Sequence, residues 1–199
     1  EISTLLYHND FDKQSNMYRQ AIARKNKLTS FLRENNYEKL SKRPNVTIYT
    51  GKGSLVSANT VKVALPEEEI ELQGKEIFIN TGSTPIIPNI EGIQQSRNVY
   101  TSTTLLELDI LPKHLIIVGG GYIGLEFASM YAGFGSKVTL LEAGNRFMPR
   151  NDSDIAKSVR EVMEKKGVEI RLNVRTQSIH DTHDGVTLTY SDTSDGTPY

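Results

Sequence analysis

The sequence predicts an α/β fold in which a parallel sheet is accompanied by an antiparallel β-meander. Two observations support this prediction. In the second half of the chain, an apolar run at Leu115–Val118 leads into a glycine-rich turn, and helix and strand patterns then alternate, as in a parallel sheet. In the first half, short runs of alternating apolar residues are separated by turn-forming residues, which is typical of antiparallel strands.

The first predicted element is an amphipathic helix from Met17 to Leu40. Its apolar residues recur at helical spacing, and Lys and Arg residues occupy the other face. We expect the helix to break near Asn35–Asn36. The basic face contains interspersed acids and no interleaved aromatic residues, so we interpret it as a solvated surface rather than a nucleic-acid or membrane site.

A three-stranded meander is predicted next, from alternating runs at Val46–Thr50, Val61–Leu65 and Ile70–Leu72. A further strand is predicted at Glu76–Asn80. It runs into Thr81–Pro85, where small residues and a glycine allow close approach of a ligand.

The following segment is interpreted as a connection between two domains. Residues 86–111 contain Pro88 and Gly92, are flanked by Pro85 and Pro112, and show no clear periodicity. We therefore divide the chain into a first domain at residues 1–90, a connection at residues 91–110 and a second domain at residues 111–199.

The glycine-rich turn has the spacing of a dinucleotide fingerprint. Gly119 permits the tight turn, Gly121 allows the backbone to approach a pyrophosphate, and Gly124 allows the new helix to pack against the strand. The free N–H groups at the helix start can then hold phosphates. The alternative is an ordinary strand–helix turn with incidental glycines, since this spacing alone is weak evidence. The surrounding strands favour the fingerprint, as does a helix-compatible run that continues to about Phe134, where Gly135 is placed to end it.

A second strand at Lys137–Leu141 brings Glu142 to the position where an acidic side chain accepts hydrogen bonds from a ribose 2′-hydroxyl. A carboxylate there would repel the 2′-phosphate of NADP, so we predict NAD as the cofactor. Arg146 weakens this prediction, because a nearby guanidinium could hold that phosphate.

A third helix is predicted to start in Pro149–Asp154 and to end at Gly167. Its apolar face is assigned to the core, and this face consists of Ile155, Val159, Val162 and Met163.

A third parallel strand is predicted at Val168–Leu172, and a hairpin then turns at Asp184–Gly185 into a strand at Val186–Tyr190. Another turn signal lies at Asp195–Gly196. His180 and His183 fall in the hairpin without a third ligand, so we expect exposed histidines and no metal site. A parallel sheet of this size lacks strands that a doubly wound domain uses, and we expect the chain to be a fragment.

Composition excludes several classes of function. The 199 residues carry a net charge of −1, which gives no indication of nucleic acid as a partner. No apolar run is long enough to span a bilayer, and we expect a soluble, cytoplasmic protein without a membrane partner. The sequence contains no cysteine, so these residues supply no disulfide, thiolate metal site or thiol catalysis.

The order of motifs resembles the pyridine nucleotide-disulfide oxidoreductases. These flavoproteins include dihydrolipoamide dehydrogenase, glutathione reductase and mercuric reductase. The resemblance rests on Thr81–Pro85, the proline-containing connection that ends at Leu111–Pro112, and Gly119–Ala128. It covers nearly the whole chain.

Details within these motifs are most similar to the bacterial branch of reactive-chlorine-resistance, hypothiocyanous acid reductase-like proteins. The relevant segments are Phe78–Gly82, Gly119–Met130 and Gly135–Thr139. The resemblance implies Rossmann-like domains for FAD and NAD, both incomplete here: the later part of the FAD domain and the first part of the NAD domain. A redox-active cysteine pair would precede Glu1, and a dimerisation domain with the catalytic histidine would follow Tyr199.

The resemblance also implies roles for individual residues. Tyr122 matches an aromatic lid over the flavin, and Glu126 matches a carboxylate that pairs with a lysine beside flavin N5; the alternative is a packing Tyr and a surface Glu near a helix start. The implied FAD contacts are Gly53, Thr81, Gly82 and Ser83, and the implied NAD contacts are Gly119, Gly120, Gly121, Tyr122, Ile123, Gly124, Glu142 and, at the adenine, Thr176.

The implied activity is hydride transfer from NADH to FAD, followed by reduction of a disulfide and then of a small-molecule disulfide or oxidant substrate. The full-length enzyme would be a homodimer, and this part alone would be inactive. Two alternatives remain: a non-catalytic, redox-sensing NAD-binding module and a single-domain NAD dehydrogenase. The meander and Thr81–Ser83 argue against the first, and the absence of a Tyr-x-x-x-Lys pair argues against the second.

Overall fold

The computed structural model describes residues 10–193, so the turn signal at Asp195–Gly196 lies outside the described residues. The described chain divides into two compact units. One contains residues 10–24 and 85–193, and the other contains residues 25–84. Helix α1 (Phe11–Ser41) contributes its first part to one unit and the remainder to the other.

Helix α1 is continuous, so the predicted break at Asn35–Asn36 is wrong. Asparagine lowers helix propensity by only a fraction of a kilocalorie per residue, about 0.7 kcal/mol at most, which a helix of this length tolerates. The helix is anchored near its start by Tyr18, which is fully buried.

The smaller unit contains an antiparallel meander of β1 (Lys52–Ser57), β2 (Thr60–Ala64) and β3 (Glu69–Gln73), in that order. The meander is confirmed, but its first strand lies later than the predicted Val46–Thr50. The short turn between Ser57 and Thr60 sets the register, because a tight hairpin pairs the residues that flank its turn.

The strand predicted at Glu76–Asn80 is not formed within the described chain. A strand needs a neighbouring strand to satisfy its backbone groups, and no described segment pairs with this one. Its apolar residues are consequently open, with Phe78 85% exposed and Ile79 70% exposed.

The larger unit is built on a parallel sheet in the order β4 (His114–Val118), β5 (Lys137–Leu141) and β6 (Val168–Arg171). The connections are α3 (Tyr122–Phe134) and α4 (Ser153–Lys165). This alternation confirms the predicted βαβαβ unit. Gly135, at φ +108°, ends α3 in the left-handed conformation that favours glycine.

The core of this unit lies between the sheet, its helices and the start of α1. Val138 and Leu140 of β5 are fully buried. The hydroxyls of Tyr18 and Tyr131 are hydrogen-bonded at 2.8 Å, and Tyr18 also donates to the Leu108 carbonyl. Burial raises the pKa of Tyr131 well above its usual range, so both phenols stay protonated and their hydrogen bonds persist.

The predicted apolar face of α4 is only partly correct. Met163 is buried and Val159 packs against the core, but Ile155 and Val162 are each about half exposed. Only part of the apolar face of α4 therefore contacts the core.

The predicted hairpin is confirmed as β7 (Val174–Thr182) and β8 (Gly185–Asp192). The connection before the parallel sheet is bonded to this hairpin. Glu91 forms an isolated β-bridge with Ser178, and the Asp181 carboxylate accepts hydrogen bonds from the Ser96 hydroxyl and the Arg97 backbone N–H. The same connection also contains a one-turn helix, α2 (Ser102–Leu105). Across residues 10–193 no helix is both long and apolar enough to cross a membrane.

Candidate functional site

The glycine loop lies between β4 and α3, at the carboxyl edge of the parallel sheet. Gly119 has φ +106°, and its N–H donates to the Leu141 carbonyl at 2.8 Å. A side chain on Gly124 would overlap the carbonyl oxygen of Gly119, so glycine is required for the helix to start this close to the strand. The turn and close-packing roles inferred for these two glycines are therefore present.

Gly121 is the N-cap residue of α3, and no side chain among the described residues caps this helix end. No atom lies within 4 Å of where a Cβ on Gly121 would stand. A side chain at Gly121 would therefore enter open space at the start of α3, and the free N–H groups that a helix N-terminus carries suit an anionic group.

Glu142 follows β5 at the same edge and is held by two backbone amides. Its Oε2 accepts from the Gly120 N–H at 2.8 Å, and its Oε1 accepts from the Gly144 N–H at 2.7 Å. A carboxylate oxygen can accept more than one hydrogen bond, so both oxygens retain capacity for ligand hydroxyls. The carboxylate is oriented before any ligand arrives.

The structure gives Gly120 a steric role that the sequence did not indicate. A Cβ there would lie 3.1 Å from Glu142 Oε2 and 3.3 Å from a Leu140 methyl carbon. Glycine at this position therefore lets the carboxylate approach the loop. Beside the loop, Val118 is 48% exposed and Ile123 is 60% exposed, forming an open apolar surface.

Tyr122 and Glu126 occupy the first two turns of α3, and both are exposed. The Tyr122 hydroxyl donates to Asn151 Oδ1 at 2.9 Å. Asn151 lies in the loop that joins β5 to α4, and nothing in its sequence neighbourhood signalled this contact. The Glu126 side chain makes no hydrogen bond or ion pair with another described residue.

Thr176 lies in β7, opposite Tyr190 of β8 and beside a bulge. Its hydroxyl oxygen is buried and has no hydrogen-bond partner among the described residues. The role inferred for Thr176 at the adenine stays a prediction.

The residues assigned to FAD lie in the smaller unit and its boundary. Thr81, Gly82 and Ser83 are exposed, and Gly82 has φ +72° with nothing within 4 Å of a Cβ position. Gly53 has ordinary room for a side chain, whereas one at Gly51 would overlap the Ala64 carbonyl oxygen. Packing therefore requires glycine at position 51 and not at position 53. The FAD contacts assigned to Gly53, Thr81, Gly82 and Ser83 stay predictions.

A polar chain crosses the parallel sheet away from the glycine loop. Thr139 is hydrogen-bonded to His114 Nε2 at 2.9 Å and to Glu169 Oε2 at 3.1 Å. Partial burial, aided by Lys137, lowers the pKa of His114, and the hydrogen bond from Arg171 is the main cause that lowers the pKa of Glu169. Neutral His114 and ionised Glu169 are thereby favoured at neutral pH.

Within residues 10–193, no three His, Cys, Asp or Glu side chains are grouped closely enough to hold a metal ion. His180 and His183 are exposed, as expected. The His183 side chain is 97% exposed and is hydrogen-bonded to the adjacent Asp184.

Comparison with known proteins gives a family match along nearly the whole chain. The profile described as pyridine nucleotide-disulphide oxidoreductase matches residues 5–197. The probable pyridine nucleotide-disulfide oxidoreductase RclA of Escherichia coli K12 is 46% identical over 160 residues, which are 80% of this chain and 36% of that protein.

Two further relatives are more distant. Dihydrolipoyl dehydrogenase of Geobacillus stearothermophilus is 38% identical over 77% of this chain and 32% of its own length. Mercuric reductase of Lysinibacillus sphaericus is 35% identical over 75% of this chain and 26% of its own length. The chain thus spans about a third or less of the length of these curated relatives.

Solved structures show the same architecture. A Cu(II) complex of the HOCl-induced flavoprotein disulfide reductase RclA from Escherichia coli superposes with a TM-score of 0.83 at 41% identity, covering 89% of this chain and 41% of that chain. LpdA from Mycobacterium tuberculosis gives a TM-score of 0.75 at 25% identity, covering 92% and 40%. The predicted fold class is confirmed.

Proposed function

This chain belongs to the pyridine nucleotide-disulphide oxidoreductase family, and from that membership we propose that it is part of an FAD-dependent NADH oxidoreductase. In this proposal hydride passes from NADH to FAD, and electrons then pass to a redox disulfide that this chain does not contain. Residues 1–90 would form part of the FAD-binding domain, and residues 111–199 would form part of the NAD-binding domain.

The observation that carries the proposal is the glycine loop with an open helix N-terminus beside a fixed carboxylate. The N–H groups at the start of α3 would hold the pyrophosphate, because Gly121 leaves space for close approach. Glu142 would accept hydrogen bonds from the adenosine ribose. Its negative charge disfavours a 2′-phosphate, so we propose NADH rather than NADPH.

The flavin side of the proposal rests on the exposed loop of the smaller unit. Thr81, Gly82 and Ser83 would lie near the FAD, where the open space at Gly82 permits backbone approach, and Gly53 would contact its adenine. When bound, FAD supplies the redox chemistry that joins a two-electron hydride donor to a disulfide. The chain's own task is to bind and orient the two cofactors.

Tyr122 and Glu126 are proposed to face the nicotinamide end of the site. Both are on the first turns of α3, and their exposure leaves them available to a ligand. Tyr122 would act as the lid that shields the flavin from water, and Glu126 would pair with a lysine elsewhere in the full-length protein. Thr176, with its buried unpaired hydroxyl, would contact the adenine through its backbone.

The substrate proposed is a small-molecule disulfide or oxidant, and the full-length protein is proposed to be a cytoplasmic homodimer. This chain alone should not turn over, because it contains no cysteine to carry the redox disulfide.

The test is an absorbance spectrum of the purified full-length protein before and after one equivalent of NADH under argon. We expect an absorption band of oxidised flavin at about 450 nm that bleaches on addition of NADH, because reduction abolishes this absorption. A colourless protein would contradict the proposal and favour a non-catalytic NAD-binding module. A coloured protein bleached by NADPH but not by NADH would contradict the assigned role of Glu142.

A further inference from the structure

We propose that Asn151 is a positioning residue that holds the Tyr122 ring away from the glycine loop and thereby keeps the loop open to a dinucleotide. This inference rests on the proposed NAD site and deepens it, since it assigns a role to a residue with no sequence signal. The observation behind it is the 2.9 Å hydrogen bond from the Tyr122 hydroxyl to Asn151 Oδ1.

The contact joins two loops at the carboxyl edge of the sheet. Tyr122 is the first residue of α3, directly after the glycine loop, and Asn151 ends the loop between β5 and α4. Because β6 lies on the other side of β5 from β4, this second loop is on the Glu142 side of the site. The hydrogen bond therefore turns the phenol toward the side proposed for the adenosine, so Tyr122 would act as the flavin lid proposed above only when this bond is broken.

The direction of the side chain decides what happens without this bond. Side chains on an α-helix tilt toward the helix N-terminus, so an unrestrained ring at the first position can swing over the N–H groups that would bind phosphate. Tyr122 is 60% exposed, and no core packing holds the ring in place. The tie to Asn151 supplies the restraint.

Asn151 is itself well fixed. Its N–H donates to the Met148 carbonyl at 3.0 Å, and Asp152, the N-cap residue of α4, follows it directly. Met148 adopts φ +47°, a conformation that non-glycine residues rarely accept, and it packs against the core next to buried Phe147. The loop thus presents the amide of Asn151 from a backbone that the core holds in one conformation.

The hydrogen bond should matter for binding more than for folding. The hydrogen bond lies in an exposed setting, where a phenol and a partly buried amide gain little over their bonds to water, so the bond contributes little to the free energy of unfolding. If it keeps the ring out of the phosphate site, its loss lowers the fraction of binding-competent protein and raises the apparent dissociation constant by the same factor.

The test uses the full-length flavoprotein and four variants. N151L removes the acceptor at similar size, Y122F removes the donor, the double variant N151L/Y122F removes both, and N145L makes the same change at an exposed site in the same loop. Calorimetric titration with NAD⁺ gives the dissociation constant, and stopped-flow mixing with NADH under argon gives the limiting rate of flavin bleaching. Thermal unfolding establishes that each variant is folded.

N151L and Y122F are each expected to raise the NAD⁺ dissociation constant about threefold, the scale of one partly exposed hydrogen bond. The double variant should show the same rise as either single variant, since both remove one interaction. The limiting bleaching rate of N151L at saturating NADH should be unchanged, and N145L should bind NAD⁺ as the wild type does.

Two results would overturn the inference alone. One is a wild-type protein that binds NAD⁺ while N151L binds it equally well, and the other is additive effects of N151L and Y122F. A wild-type protein that binds neither NAD⁺ nor NADH would overturn the proposed function, and this inference with it.

Discussion

Gly121 and Gly124 differ in the atoms that a side chain would contact, so substitutions at these two positions distinguish an effect on folding from an effect on ligand binding. A Cβ at Gly124 would overlap the Gly119 carbonyl oxygen, whereas one at Gly121 would meet nothing within 4 Å. Gly121 also has φ −73°, which any residue can adopt. Only a ligand would oppose a methyl group at Gly121.

We therefore expect G124A to lower the free energy of unfolding by about 1–3 kcal/mol, as overpacking does, and G121A to leave it nearly unchanged. Both should weaken NAD⁺ binding, G121A because the methyl group stands where the pyrophosphate approaches. Denaturant unfolding and calorimetric titration of the full-length protein measure the two effects. A G121A protein with wild-type affinity would contradict the phosphate site placed at this helix start.

Glu142 also combines a structural and a binding contribution, because its two carboxylate oxygens accept from Gly120 and Gly144. A Gln side chain has one acceptor oxygen and turns an NH₂ group toward the other backbone N–H. We expect E142Q to lose about 1 kcal/mol of unfolding free energy and about tenfold in NADH affinity.

The matched control for E142Q is E161Q on the exposed surface of α4, which should change neither quantity. Denaturant unfolding and fluorescence titration with NADH give both values. Tighter NADPH binding than NADH binding by the wild type would show that the charge of Glu142 does not select the cofactor.

At the scale of elements, the three parallel strands are joined by side chains as well as by their backbone. His114 of β4, Thr139 of β5 and Glu169 of β6 form one hydrogen-bonded chain. The pKa of His114 is lowered from 6.5 and that of Glu169 is lowered from 4.5. Both groups therefore bind protons more readily when the chain is unfolded.

Both groups change the stability in the same direction. Each lowered pKa contributes to the free energy of unfolding at neutral pH, and this contribution is lost as the pH falls. The His114 contribution should be lost below pH 6.5 and the Glu169 contribution below pH 4.5, as the pH falls through each folded-state pKa. Unfolding free energy measured against pH should show both declines, with H114Q reducing the upper one and E169Q reducing the lower one, to which the lowered pKa values of Asp10 and Asp181 also contribute. If the unfolding free energy of H114Q fell below pH 6.5 as steeply as that of the wild type, the contribution assigned to His114 would be wrong.

At the scale of the whole molecule, several apolar side chains of the described residues are open to solvent. Ile86 is 93% exposed, and Phe78 and Ile79 lie on a segment that pairs with no described strand. These residues are suited to pack against further protein, as the proposal of a longer flavoprotein requires.

We therefore expect the 199-residue chain alone to bind the dye ANS strongly and the full-length protein to bind it weakly, because exposed apolar surface binds this dye. Fluorescence titration at equal protein concentrations makes the comparison. Equal dye binding by the two proteins would show that the remaining sequence does not cover these residues.

Sequence patterns determined much of this protein because the features they detect are local. The turn at Gly119, the close packing at Gly124, the end of α3 at Gly135 and the hairpin at Asp184–Gly185 depend on backbone conformations that few residues adopt. The family motif combined such positions, and the family match confirmed it. The first strand of the meander was predicted at Val46–Thr50 but lies at Lys52–Ser57. Pairing with the next strand decides which residues form it, and strand propensity alone does not.

Only the tertiary structure decided which residues meet across the sheet edge. The clamp of Glu142 by Gly120 and Gly144, the bond between Tyr122 and Asn151, and the absence of a strand at residues 76–80 in the described chain all depend on segments distant in sequence. Local propensity assigns each residue a conformation, but hydrogen-bond partners and burial are properties of pairs. The sequence therefore indicated the glycine loop, whereas the bond between Gly120 and the Glu142 carboxylate and the bond between Tyr122 and Asn151 became visible only in the folded chain.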